Sequence, residues 1–402
     1  MNDWVSQRFD SFAKIVKGVT YQASDYADAS SGVPFITIKC FEKGGGFKKE
    51  GLKYYSGPSS PEQNIQPGDL LVALTDLTRD GDIIGSALLV PDGCGTRLLS
   101  SMDTAKVIPK SAANPRFLAY RLQMPDVRRH MQCHSGGSTV LHLHGSAFDR
   151  LVLPLPPLDE QRRIAAILDA SEATIRATEA VIEKLRLERI GVRRDLLLHH
   201  SMKVAEKQVA LSEMGEWVSG GTPAKGNTAF WNGDVPWLTP KDMKGPVASE
   251  TTDYITTAGV AAGARLVPIG SVGFVVRGMI LAHTFPVCRF DRPMAFNQDI
   301  KVIIPSRDVV LPGFLHYWMM ASSPRFLALC TESTHGTKKL ESSEIGKVKV
   351  ALPSMRTQEI IVEVLRALDN SVEVEVKHLG KIRLQHQGLL HDLLTGAVRT
   401  HA

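Results

Sequence analysis

Long apolar runs are missing from this chain, and none approaches the ~18 residues that a spanning helix needs. No leader-like pattern opens it either, so a cytoplasmic protein is the expectation. Cysteine is scarce: Cys40, Cys94, Cys133, Cys288 and Cys330 are odd in number, scattered, and contain no CxxC pair. They read as reduced thiols rather than as a disulfide framework. The marks of catalysis are also missing. There is no GxxxxGK[ST] loop, no GxGxxG, and no nucleophile elbow. The Asn-Pro-Pro-Tyr or Asp-Pro-Pro-Tyr run typical of base-flipping amino-methyltransferases is absent too. His130, Cys133, His134, His142 and His144 are of the ligand types zinc takes, but no closed four-ligand pattern recurs later in the chain, so they read as polar loop residues and no metal is expected. A chain without chemistry of its own is expected to bind and measure.

What is present is a folded, soluble composition, with 43% hydrophobic and 22% charged residues over 402 positions. That length suits two or three domains. The net charge is +5.

One stretch occurs twice. Leu155 to Met202 is echoed by Leu352 to Ala397. In the first copy Leu168, Ser171, Ile175, Thr178, Ile182, Leu185, Arg189, Val192 and Leu196 fall at alternating steps of three and four, the seam of a coiled coil. A shift of 197 positions gives Leu365, Leu368, Val372, Glu375, Leu379, Ile382, His386, Leu389 and Leu393. Helices of about 40 residues, ~60 Å long at ~1.5 Å per residue, leave a wet apolar stripe unless they bury it against each other. Both copies start after proline, at Pro156-Pro157 and Pro353, with Gln161 and Gln358 in the first turn. Gly396 sits where a helix stop is expected. The polar seam positions Thr178, Arg189, Glu375 and His386 are expected to fix register.

The segments before the helices repeat more loosely. Val33-Pro34-Phe35 answers to Val235-Pro236-Trp237, and Pro115-x-Phe117-Leu118-x-Tyr120 to Pro312-x-Phe314-Leu315-x-Tyr317. Strands are expected at 33–39, 70–74, 83–90, 105–109 and 151–154, and a helix at 115–122. The chain is thus a tandem duplication of roughly 200 residues. Its expected divisions are domain one at 1–154, a long helix at 155–204, domain two at 205–351, and a second long helix at 352–402. If each helix starts at its own domain and ends at the other, the helices are antiparallel, related by a pseudo-twofold axis. The chain ends then come close together, and the domains sit at opposite ends of a stiff spacer. The fold class is α+β: two α/β domains with an antiparallel helix pair. From Pro156 to His200 there are eight basic and eight acidic residues, and from Arg356 to Arg399 six of each, so the positive surplus lies in the segments before the helices, where a polyanion docks.

The LPLPPLDEQRRIAAILD run with its long helix, the second copy closing on Leu-Leu-Thr-Gly-Ala-Val-Arg399, and Phe230-Trp-Asn-Gly-Asp-Val-Pro-Trp-Leu-Thr-Pro-Lys-Asp-Met243 resemble the specificity subunit of type I restriction-modification systems. The resemblance covers essentially the whole chain. It implies two target-recognition domains, each reading half of a split DNA sequence, and two helices that fix the spacing and hold methyltransferase subunits. The partners implied are double-stranded DNA, methyltransferase subunits, two in number, and restriction subunits where restriction accompanies methylation. S-adenosylmethionine, ATP and magnesium belong to those partners, and no cofactor is expected on this chain. Two departures stand out: domain one lacks the Trp-Asn-Gly-Asp run, and Arg356-Thr357 replaces the acidic pair Asp159-Glu160.

A twofold-related pair of reading heads suits half-sites about one helical turn, ~34 Å, apart. Divergent heads imply a target that is not palindromic. Basic side chains serve phosphates and base edges. The candidates in domain one are Lys39, Arg79, and Lys48 and Lys49 of Gly44-Gly-Gly-Phe-Lys48-Lys49. In domain two they are Lys241, Lys244, Arg277, Lys338 and Lys339. Phe35, Trp231 and Trp237 read as core rather than as base-stacking residues. The competing functions are a single-chain methyltransferase or nuclease with an unfamiliar site, and a coiled-coil scaffold that binds no DNA.

Overall fold

Burial of the helical seam decides how the molecule is partitioned. The computed structural model describes residues 4–78, 80–332 and 336–400. The first long helix spans Leu158–Arg194 and continues through a π-helical segment, Asp195–His200, into Ser201–Lys203; the second spans Met355–Thr395. The elements start later than the repeated sequence stretches. Residues up to Leu155 belong instead to a strand, Val152–Leu155, and Lys349–Leu352 is its counterpart in the second repeat. Gly396 ends the second helix at φ 73°, the left-handed conformation that glycine adopts without penalty.

Two compact units result, and both divide within the long helices: one joins residues 1–178 to 378–402, and the other comprises 179–377. In the first unit Glu160 meets Arg399 and Ser171 meets His386. As numbers rise along one helix they fall along the other, so the pair is antiparallel. The start of the first helix (Ile164, Ala165, Leu168) and the end of the second (Leu389, Leu390, Leu393, Leu394) share one core with Trp4, Phe117, Leu118 and Phe148. The second unit is built the same way. Ile361, Val362, Leu365 and Leu368 from the second helix's start join Val192, Leu196, Leu197 and Leu198 from the first helix's end, against Phe314, Leu315 and Trp318.

Along the seam Leu168, Ile182, Leu365, Val372, Leu379, Ile382 and Leu393 are buried, while Ile175, Leu185, Val192, Leu196, Leu368 and Leu389 are half-buried. Two of the polar seam positions bind across the helix pair: His386 Nδ1 lies 3.0 Å from Ser171 Oγ, and Arg189 donates to Asp369 at 3.2 Å. Thr178 instead bonds the carbonyl of Thr174 on its own helix.

The α/β part of each unit is the same plan twice. In the first unit one sheet runs in the order Ala13–Lys17, Thr104–Pro109, Leu70–Ala73, Ala87–Leu89. In the second the order is Gly215–Ser219, Ile300–Pro305, Val272–Val275, Val287–Phe290, with Val247–Ala248 added at the edge. A second, three-stranded sheet centres on Val33–Ile36 in one and on Trp231–Leu238 in the other. The helix Pro115–Leu122 answers to Pro312–Ala321.

Two local expectations need correction. The strand expected at 33–39 stops at Ile36, because the Thr37 side chain accepts from Lys39 N and caps a tight 3-10 turn. The run 83–90 is extended only from Ala87, since the buried carboxylate of Asp76 takes the amides of Ile83 and Ile84. The Trp-Asn-Gly-Asp run lengthens the central strand through a bulge between Trp231 and Val235. There Asn232 adopts φ 59°, and a side chain on Gly233 would strike the Ile255 carbonyl.

Gln161 and Gln358 are buried at the helix starts and do identical work. Each accepts from a backbone amide ahead of the neighbouring helix, Asn114 or Leu311, and donates to its own proline carbonyl, Pro156 or Pro353. One lock is not repeated. Arg399 makes two hydrogen bonds, 2.7 and 2.8 Å, to Glu160, where the second repeat has Met202 and Thr357. Arg399 holds the Glu160 carboxyl below the ordinary glutamate range. A depressed folded-state pKa contributes stability that is present at neutral pH and is lost as pH falls through the carboxylate range. Glu160→Gln is therefore expected to cost about 2 kcal/mol at pH 7, less than a fully buried pair because Arg399 is 27% exposed. It should also flatten the acid limb of stability, as urea unfolding at neutral and acidic pH measures.

Candidate nucleic-acid interface

In the first unit the Gly44 to Gly46 run forms a tight turn in which all three glycines have positive φ, and Phe41 pairs with Phe47 across it. The turn carries Lys48 and Lys49 outward, both exposed. Lys39 is exposed on the capped turn beside it, and Lys39, Lys43 and Lys48 line one cavity of about 620 Å3 with Ile38, Phe41, Leu77, Thr78 and Ile83. The fold thus groups Lys39 with Lys48 and adds Lys43, which composition alone did not single out. Lys43 pairs with Asp82, and that carboxylate raises its pKa. Lys49 is not among the cavity residues, and Arg79 lies outside the described residues.

The loop that closes this cavity is held by one buried carboxylate. Asp76 accepts from the amides of Thr78 (2.6 Å), Ile83 (2.5 Å) and Ile84 (2.8 Å). Arg128 adds bonds to the Ile84 and Asp82 carbonyls. A short ladder ties the start of the loop to Leu141–Leu143 through Thr75 and Asp76.

The second unit places the corresponding loop after Val272–Val275. Arg277 bridges to Lys339, Gly278 N donates to the Lys338 carbonyl, and Leu340 N donates to Val276. Arg277, Lys338 and Lys339 are thereby brought together. Lys338 pairs with Glu332 at 2.9 Å and Lys339 with Glu341 at 2.5 Å, so an incoming phosphate has to displace carboxylates there. Lys241 and Lys244 sit apart from that group, at the end of the Trp231–Leu238 strand, and Lys241 pairs with Asp253 at 3.0 Å.

The aromatic candidates are built into the sheets. Phe35 is fully buried and stacks on Tyr55. Trp231 and Trp237 meet edge to face and donate to the Ala224 and Gly221 carbonyls. Two of the candidate zinc-ligating histidines serve backbone: His130 contacts the Ala147 carbonyl, and His134 that of His130. No group of three or more potential metal ligands converges among the described residues. No helix among them is long and apolar enough to cross a membrane.

Two α/β heads, each seated on the start of one long helix and the end of the other and each carrying a basic loop of its own, define a class of duplicated, helix-paired proteins. The chain belongs to the type I restriction modification DNA specificity family, whose domain model matches residues 1–187 and again 205–383. A type I restriction enzyme specificity subunit of Escherichia coli is 30% identical over 263 residues, covering 62% of this chain and 64% of that protein. A second, from Methanocaldococcus jannaschii, is 22% identical over 99% of this chain and 93% of its own length. The first-named match therefore spans less than two thirds of that relative. Among solved structures, the S subunit of a type I system from M. genitalium superposes with a TM-score of 0.56 at 14% identity, covering 97% of this chain and 96% of that one. The HsdS subunit from Thermoanaerobacter tengcongensis gives 0.55 at 17%, covering 98% and 97%. At such identities the likeness is one of fold.

Because Asp76 serves three amides at once, Asp76→Asn is expected to leave at least one of them unsatisfied. The expected cost is about 3 kcal/mol, with faster hydrogen exchange at Ile83 and Ile84 than in the adjoining Leu70–Ala73 sheet.

Proposed function

We propose that this chain is the DNA-reading, non-catalytic subunit of a methyltransferase and restriction complex. Residues 1–154 and 205–351 act as its two target-recognition domains, and residues 155–204 and 352–402 as spacers. The observation that carries this is one repeated scaffold whose two heads gather cations on different loops: Lys39, Lys48 and Lys49 after Val33–Ile36 in one, Arg277, Lys338 and Lys339 beyond Val272–Val275 in the other. Repetition keeps the two heads alike in build. Divergence at the loops lets them read different half-sites, so the target is bipartite and asymmetric. Lys241, Lys244 and Arg79 are assigned to the same role by charge.

The long helices support a partner role. Leu187 and Leu384, equivalent under the 197-residue shift, are 70% and 69% exposed, and Ile167 and Val364 form a second exposed equivalent pair. Each unit thus shows one member of each equivalent pair on helix surface away from the seam. Such faces suit docking of apolar partner elements, here one methyltransferase subunit per unit, with restriction subunits joining the assembly. S-adenosylmethionine, ATP and magnesium are assigned to those partners.

Purified chain incubated with DNA and labelled S-adenosylmethionine is expected to give no product, whereas the assembled complex should methylate a split, non-palindromic motif. Methylation by the chain alone would favour a single-chain enzyme. The logarithmic salt dependence of DNA binding should become shallower by about two in Lys338→Ala/Lys339→Ala, since each lost phosphate contact removes ~0.9 from the slope. In Leu187→Asp or Leu384→Asp, one methyltransferase subunit should be lost per altered position, as native mass spectrometry reads directly.

A further inference from the structure

Each head holds a large apolar side chain out in water at the same place, and nothing in the fold uses it. Leu77 stands four residues beyond the end of Leu70–Ala73, and Met279 four beyond the end of Val272–Val275, the equivalent strand. They are 62% and 63% exposed. Isolated exposed aliphatics are common on protein surfaces, but these recur at matching positions in repeats whose loops otherwise diverged. Neither sits on slack backbone. The Asp76 carboxylate and Arg128 pin the first loop. The Arg277 to Lys339 bridge and the Gly278 to Lys338 bond pin the second.

Cations stand around both, with carboxylates among them. Leu77 lines the cavity whose rim carries Lys39, Lys43 and Lys48, with Glu42 and Glu50 also on it. Met279 follows Arg277 and Gly278, which are bonded to the strand bearing Lys338 and Lys339. Asp82, Glu332 and Glu341 are each already paired with one of the lysines. A fixed apolar tip among cations that engage phosphates is positioned to touch what lies between the phosphates. In the major groove the one apolar group on a base edge is the C5-methyl of thymine.

We infer that Leu77 and Met279 are specificity-determining residues, each packing on a thymine methyl in its own half-site. The inference rests on the DNA-reading function proposed above and deepens it. It requires an A·T pair in both half-sites and makes the two contacts independent, one per head.

The test uses the chain assembled with its methyltransferase subunits and duplexes carrying the motif that methylation mapping defines. Deoxyuridine replaces thymidine one position at a time, which removes only the methyl. Binding by the unaltered complex should fall about fourfold at one position in each half-site, the loss expected for one buried methyl. Leu77→Ser should abolish that sensitivity in one half-site and leave the other intact, and Met279→Ser should do the reverse. Both side chains are exposed, so melting temperatures should not move. A half-site without an A·T pair, or unaltered complex indifferent to every deoxyuridine, overturns the inference without needing any variant. Variants that keep the full deoxyuridine response overturn it as well. Failure to find any bipartite methylated motif sinks the DNA-reading function itself. A bipartite motif with no methyl dependence sinks only this assignment.

Discussion

The apolar seam of the two long helices is the constraint on which the rest depends. A stripe that long is stable only when covered, and antiparallel pairing covers it so that the end of one helix lies beside the start of the other. Both ends then enter the core of an α/β domain. Leu168 and Leu393 share one core, and Leu365 and Leu196 share the other. Neither domain is complete without residues from both helices, which is why the compact units divide within the helices and why residues 378–402 belong with the first domain.

Polar groups set direction where apolar contact alone tolerates sliding. His386 with Ser171 and Arg189 with Asp369 tie the helices to each other, while Tyr120 with Asp169 and Tyr317 with Asp369 tie them to the domains. Gln161 and Gln358 satisfy buried backbone groups at the junctions that a shift of the domain would expose. Rigidity at these junctions leaves the loops free to diverge. Lys39 and Lys48 in one head and Arg277, Lys338 and Lys339 in the other occupy the same scaffold with different chemistry.

Much of this was legible in the sequence because it is periodic. The seam, the paired glutamines and the Pro-x-Phe-Leu-x-Tyr helices each repeat under a nearly constant shift, and the antiparallel arrangement follows from where each helix begins. What escaped was set by individual contacts that no periodic pattern carries. The strand expected through 83–86 is a loop because a carboxylate far closer in space than in pattern claims its amides. The Trp-Asn-Gly-Asp run is a bulge where Gly233 lies close against the Ile255 carbonyl, and the Arg399 to Glu160 lock joins positions with no local signature. At the candidate interface, charge singles out lysines but not the carboxylates that pair with them.

The antiparallel register of the helix pair is the central claim, and crosslinking in the full chain tests it most directly. With the native exposed thiol at Cys133 replaced, Ser171→Cys/His386→Cys is expected to join efficiently through a short bismaleimide, since the native side chains stand 3.0 Å apart. Failure of that pair, with efficient joining of Ser171→Cys/Asp392→Cys in its place, would contradict the register and the shared cores built on it.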